Sequence, residues 1–226
     1  MRRTATRKAA PGAAGDLVYR PARPGDDAAI AALDGSFTTD SVFEVTATPE
    51  GFAIREVPVH PPLHKVFPDE EDEGDEGDGQ DHADEGDGQD HADAACGADG
   101  TCGPDRAGHG AGPGRTRTVV AVDGEELCGF VTVSFEPWNG RATVRDIEVA
   151  PAWRGAGVGR ALMEHAVGFA RECGAVHLWL EVSNVNAPAV HAYLRMGFTF
   201  CGLDTSLYAG TESSGEQALF MTRPLH

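Results

Sequence analysis

The stretch IEVAPAWRGAGVGRALM, Ile147 to Met163, limits the possible folds more than any other part of the chain. An extended run ends at Pro151, glycines stand at 155, 157 and 159, and an apolar-periodic run follows. Glycines at this spacing let the backbone turn tightly with no Cβ in the way. Between a strand and a helix, such a turn leaves the first helical N–H groups free to cradle an anion. Arg154 and Arg160 add positive charge. Two common phosphate turns do not fit. A P-loop closes on Gly-Lys-Ser/Thr, whereas Gly159-Arg160-Ala161 has no hydroxyl for magnesium. A dinucleotide fingerprint starting at Gly155 needs glycine where Arg160 stands, and the next strand carries its acid only at Glu181.

The flanking patterns build an α/β domain. Strands are predicted at Leu17–Arg20, Thr118–Val122, Leu127–Phe135, Arg141–Val149, Ala175–Val182, Phe198–Leu203 and Ala218–Thr222, with turns at Asp123-Gly124 and Asn139-Gly140. One helix begins at Asp26 or Asp27, with Ile30 and Leu33 on one face. A second runs from the glycine turn to about Arg171 and buries Val158, Leu162, Ala166 and Phe169. A third starts at Ala187, capped by Asn186, and stops at Gly197. The stretch from Asp34 to Val59 is mixed, apart from a strand-like GFAIREVPV.

The formal charge is −18, but fourteen of the 36 acidic residues lie between Asp69 and Asp93. Residues 69–116 read as a disordered acidic insertion, and residues 1–16 as a disordered basic tail without the apolar core of a secretory signal. The insertion separates an N-terminal part, 17–68, from a core part, 117–226. Within it DEGDGQDHA occurs twice, at Asp75–Ala83 and Asp84–Ala92. The repeat only partly matches a calcium-binding nonapeptide, and two copies cannot stack a core. His91, Cys96, Cys102 and His109 match no standard zinc spacing, so no metal is expected. The acidity argues against nucleic acid and anionic membranes as partners and suits a cationic small molecule. Cysteines in apolar surroundings, with no disulfide framework and no bilayer-length apolar run, point to a cytoplasmic protein. A homodimer is one assembly open to it.

IEVAPAWRGAGVGRALM followed by LWLEVSNVNAPAVHAYLRMGF resembles the GNAT superfamily of N-acetyltransferases, which use acetyl-CoA. The Val-x-Pro strand end, the Arg-Gly-x-Gly-x-Gly turn and the Asn…Tyr…Gly-Phe helix stand in family order. The segments LDGSFTTDSVFEVTAT, FAIREVPVHPPL, KVFPD and CGLDTSLYAGT extend the resemblance to the streptothricin acetyltransferases, although the insertion here looks longer.

The resemblance implies a mixed, mostly antiparallel sheet with a splayed parallel pair, and a cofactor site made by Arg154, Gly155, Ala156, Gly157, Val158, Gly159, Arg160 and Ala161 around the pyrophosphate. Ile147 and Val149 would pair with the pantetheine arm, and Asn186 and Tyr193 would lie near it. Tyr193 is the candidate acid for the leaving thiolate. The proton acceptor is sought first at Glu181, then Glu148, then Asp146, and all three suit a cationic amine. Asp34, Ser36, Phe37 and Asp40 are expected in an antibiotic pocket. The implied reaction is acetylation of the β-lysine amine of a streptothricin. The same chemistry on a protein N-terminus or another cationic molecule is the alternative, and a non-catalytic acyl-CoA sensor is a third reading.

Overall fold

The computed structural model describes residues 17–66 and 114–225. The tail at 1–16, the nonapeptide repeat and the cysteines and histidines considered for zinc lie outside the described residues. The strands are β1 (Val18–Pro21), β2 (Phe37–Thr48), β3 (Gly51–Lys65), β4 (Arg115–Asp123), β5 (Glu126–Glu136), β6 (Arg141–Val149), β7 (His177–Ser183), β8 (Thr199–Asp204) and β9 (Ala218–Pro224). The helices are α1 (Asp27–Ala31), α2 (Val158–Glu172) and α3 (Ala187–Arg195). Seven strands form one sheet in the order β1-β4-β5-β6-β7-β9-β8, in which β6 and β7 are parallel and the other neighbours antiparallel. No helix among the described residues is long and apolar enough to cross a membrane.

α2 follows from its apolar spacing. Val158, Leu162, Met163, Ala166, Val167, Phe169 and Ala170 recur every three or four residues and are buried against the sheet. Arg117 on β4 covers the Phe169 ring at 4.5 Å. In α3 the Asn186 side chain accepts a hydrogen bond from the Ala189 N–H at 3.2 Å, as the capping signal predicts. α1 ends at Ala31, before Leu33, yet Ile30 and Leu33 both pack on Val120, Val122 and Phe130.

Two expectations change. The stretch from Asp34 to Val59, read as mixed apart from a strand-like 51–59, falls largely in a long hairpin: β2 pairs with β3 as a separate two-stranded sheet, and β3 contains the predicted strand. Aromatic and β-branched residues recur along β2, while β3 tolerates Pro58, Pro61 and Pro62 because a two-stranded sheet has only edges. The acidic insertion was expected to end at 116, but β4 begins at Arg115 and pairs with Phe135.

Buried Asn184 attaches the hairpin to the main sheet. Its side-chain Nδ2 donates to the Phe43 carbonyl at 2.8 Å, and its Oδ1 accepts from the Gln217 N–H at 2.8 Å. Its backbone carbonyl accepts from the Phe43 N–H at 2.8 Å. Asn184→Ala leaves one carbonyl and one N–H without their partners, each costing about 1–3 kcal/mol. Urea unfolding is expected to show a loss of about 2–4 kcal/mol.

Candidate active site

The parallel pairing of β6 with β7 covers only Arg141–Thr143 against His177–Trp179. β6 runs on along β5 to Val149, opposite Gly129. Beyond Thr143 the β7-facing edge of β6 has no strand partner among the described residues, so the sheet splits. A bulge prepares the split: Thr132 faces Asp146 and Val133 faces Val144, which leaves Arg145 with no opposite residue. Arg145 turns instead to Ser134 Oγ at 2.8 Å and Glu136 at 3.1 Å. Asp146 and Glu148 therefore lie on one wall of the opening and Glu181, on β7, on the other.

The split leads into the glycine turn. Pro151–Trp153 make a single 3-10 turn with Trp153 buried, and Gly155 and Gly157 follow at φ 76° and 90°. Both lie in the left-handed region that glycine enters without steric cost. No side chain caps α2, so its first N–H groups remain for an anion. Arg154 differs from expectation. Its guanidinium is engaged by three backbone carbonyls, Val149 at 2.8 Å, Asp34 at 2.9 Å and Ser36. The Arg154 side chain ties the 34–36 loop to the end of β6 instead of facing the anion cradle, so only its backbone is available to that role.

The carboxylates around the split are crowded. Burial, with the charges of Asp146 and Asp34, pushes the Glu148 carboxyl up to about 7 against the opposing pull of Arg154. Gly35 sits directly on that carboxylate, since a Cβ added there would lie 2.7 Å from Oε1. Across the opening, burial raises the Glu181 carboxyl and the nearby Glu216 adds to the rise, opposed by a hydrogen bond from the Tyr208 hydroxyl. Glu216 is itself held by Lys65 at 2.6 Å and Ser183 at 2.5 Å. Tyr193, half-buried and 5.8 Å from the Phe198 ring, has its phenol pushed up by burial and by the charges of Asp146 and Glu181. Asp146 thus acts on both Glu148 and Tyr193.

The streptothricin acetyltransferase of Streptomyces lavendulae is 54% identical over 206 residues, which cover 91% of this chain and 94% of that one. The chain belongs to the GNAT acetyltransferase family. The family's own pattern matches residues 90–198. The crystal structure of nourseothricin acetyltransferase aligns with a TM-score of 0.72 and 53% identity, covering 93% of this chain and 99% of that chain. A Bacillus anthracis str. Ames protein solved in complex with acetyl coenzyme A shares the fold, with a TM-score of 0.64 and 21% identity over 93% of this chain and 99% of that chain.

In this GNAT acetyltransferase the residues predicted from the sequence fall into two places. Asp34 and Asp146 both act on Glu148, while Asp146 and Glu181 act on Tyr193. Ser36 belongs to the 34–36 loop, where its N–H donates to Asp34 Oδ1 at 2.9 Å. Asp40 stands apart, in an open cleft of about 480 Å³ with Glu56, His191 and Pro188. Phe37 lies buried at the start of β2. Gly35 and Tyr208 were not singled out. Both lie inside quoted family segments, but nothing local marks what they touch.

Gly35→Ala places a methyl against a flexible carboxylate end. The fold is expected to keep its melting temperature within about 2 °C while Glu148 is displaced. kcat/KM for the amine should fall about tenfold, read from steady-state kinetics beside a thermal melt.

Proposed function

We propose that this acetyltransferase moves the acetyl group of acetyl-CoA onto a streptothricin-class antibiotic, at the amine of its β-lysine chain. One observation carries the reading: an opening lined by Asp146, Glu148 and Glu181 runs directly into a glycine turn with uncapped helical N–H groups. The turn suits a diphosphate, and the acids suit a cationic amine. The match to the S. lavendulae relative covers 94% of that protein at 54% identity, which supports the antibiotic as the acceptor.

The backbone from Arg154 to Ala161 would hold the pyrophosphate, and the open edge at Ile147–Val149 would pair with the pantetheine amides as an added strand does. Asn186 lies at the start of α3, on the side of the opening that carries Tyr193. Acetyl-CoA supplies an acetyl group already activated as a thioester. The chain's own task is proton handling. An alkyl ammonium with a pKa of about 10.4 must lose a proton before it can attack. Asp146 and Glu181 attract the cation, and Glu148, at about 7, is poised to take the proton near neutral pH. This ranks Glu148 ahead of Glu181, whose carboxylate already accepts the Tyr208 hydroxyl. Tyr193 stays protonated and donates a hydrogen bond toward the leaving sulfur. Asp146 and Glu181 oppose its ionisation until a bound ammonium offsets their charge.

Thiol release from acetyl-CoA with streptothricin F, compared with lysine-tipped peptides and aminoglycosides, tests the acceptor. The first should far exceed the others, and no release with it would overturn the antibiotic reading. Glu148 works as its carboxylate, so kcat/KM should fall about tenfold per pH unit below a midpoint near 7. Glu148→Gln should remove that acid limb and cost about 10²–10⁴ in kcat/KM at neutral pH. A retained limb would reassign the acceptor.

A further inference from the structure

The loop from Thr205 to Gln217, between β8 and β9, is a chain of short turns that presents Tyr208 to the site. Asp204 Oδ1 accepts from the Ser206 N–H at 2.7 Å and the Ser206 hydroxyl at 2.8 Å. The Tyr208 carbonyl accepts from the Thr211 N–H at 3.0 Å and the Thr211 hydroxyl at 2.9 Å. The base of the loop is latched on two sides. Lys65, at the end of β3, donates to Ser213 Oγ at 2.9 Å and to Glu216 Oε1 at 2.6 Å, while Ser183, at the end of β7, donates to Glu216 Oε2 at 2.5 Å. The Lys65–Glu216 pair is largely buried, each side chain 15% exposed. Tyr208 is therefore held in place from both sheets, and its hydroxyl ends on Glu181 Oε1.

We infer that Tyr208 is a positioning residue for the acceptor amine: its hydroxyl fixes one oxygen of Glu181 and leaves the other to receive the substrate ammonium. This rests on the proposed acceptor being cationic. The groups facing Glu181 are Tyr208 and Glu216 from the loop, with Lys65 behind Glu216, and Tyr193 from α3. Burial and Glu216 both favour the protonated acid, and the Tyr208 hydroxyl opposes them. Without the hydroxyl, Glu181 takes up a proton at a higher pH and loses its hold on a cation as the pH falls.

Tyr208→Phe keeps the ring and deletes only the donor. In steady-state kinetics with streptothricin F, the acceptor KM is expected to rise about tenfold or more, with the acetyl-CoA KM and kcat within about twofold. The rise should be larger at pH 6 than at pH 8. In a Glu181→Gln background the same substitution should add less than about twofold. Carbon-13 titration of the Glu181 carboxyl in the free protein should move upward in Tyr208→Phe, a readout that needs no turnover. An unmoved Glu181 titration, or an unchanged acceptor KM where the parent enzyme turns over, overturns the role of Tyr208. A parent enzyme inactive on streptothricin F, with the titration shift present, overturns only the acceptor assignment. A melt of Tyr208→Phe within about 3 °C of the parent keeps the comparison free of unfolding.

Discussion

Between Thr143 and Val149, β6 keeps β5 as a neighbour and loses β7. A strand inside a sheet ordinarily satisfies both rows of its backbone groups, and an unpaired buried row is costly. Here that row becomes the wall of an opening, where water or a ligand's amides can complete it. The bulge at Arg145 and the close approach of Gly129 lie along this stretch. A Cβ at Gly129 would lie 2.6 Å from the Glu148 carbonyl, so only glycine lets β5 run this near β6. The glycine turn follows without a break, which puts the anion cradle at the end of the same opening.

The carboxylates are arranged against stability. Asp34 and Asp146 both raise Glu148, and Asp146 and Glu181 both raise Tyr193. A chain selected only to fold would space these charges apart or pair them. Crowded acids with displaced proton affinities are a mark of functional sites, and these would suit binding a cationic amine and taking its proton. Gly35 contributes by what it lacks, because the missing Cβ lets the 34–36 loop close over Glu148 and deepen its burial.

Where signals were local, the sequence was legible. The glycine turn, the buried stripe of α2, the Asn186 cap and the turns at Gly124 and Gly140 depend on residues within a few positions of one another, and the structure has each of them. The pairing of Asp146 with Glu148 also survived, since the bulge lies before both and leaves their two-residue spacing intact. What could not be read depends on distant partners. Tyr208 meets Glu181 from 27 positions away, and Arg154 reaches Ser36 from 118. Of the β2–β3 hairpin only 51–59 was read as strand-like; Pro61 and Pro62 argue against a strand beyond it unless it is known to be an edge, and the pairing with β2 depends on residues far apart in the chain. Alternation along β2 turns Phe37 inward and leaves Thr38 and Asp40 outside.

Arg154 connects the two halves of the site. Its carbonyl partners belong to the end of β6 and to the 34–36 loop, so one cation ties the strand beside the anion cradle to the cap over Glu148. Because the guanidinium is already engaged, a diphosphate in the proposed cradle would find backbone N–H groups and the dipole of α2 there, not the Arg154 side chain. Arg154's charge is left to lower the Glu148 carboxyl, which burial and two neighbouring acids would otherwise drive beyond about 7. One residue of the turn thus weakens the hold of a carboxylate on the neighbouring strand over its proton, and under the proposed mechanism that would couple the anion site to proton transfer at the amine.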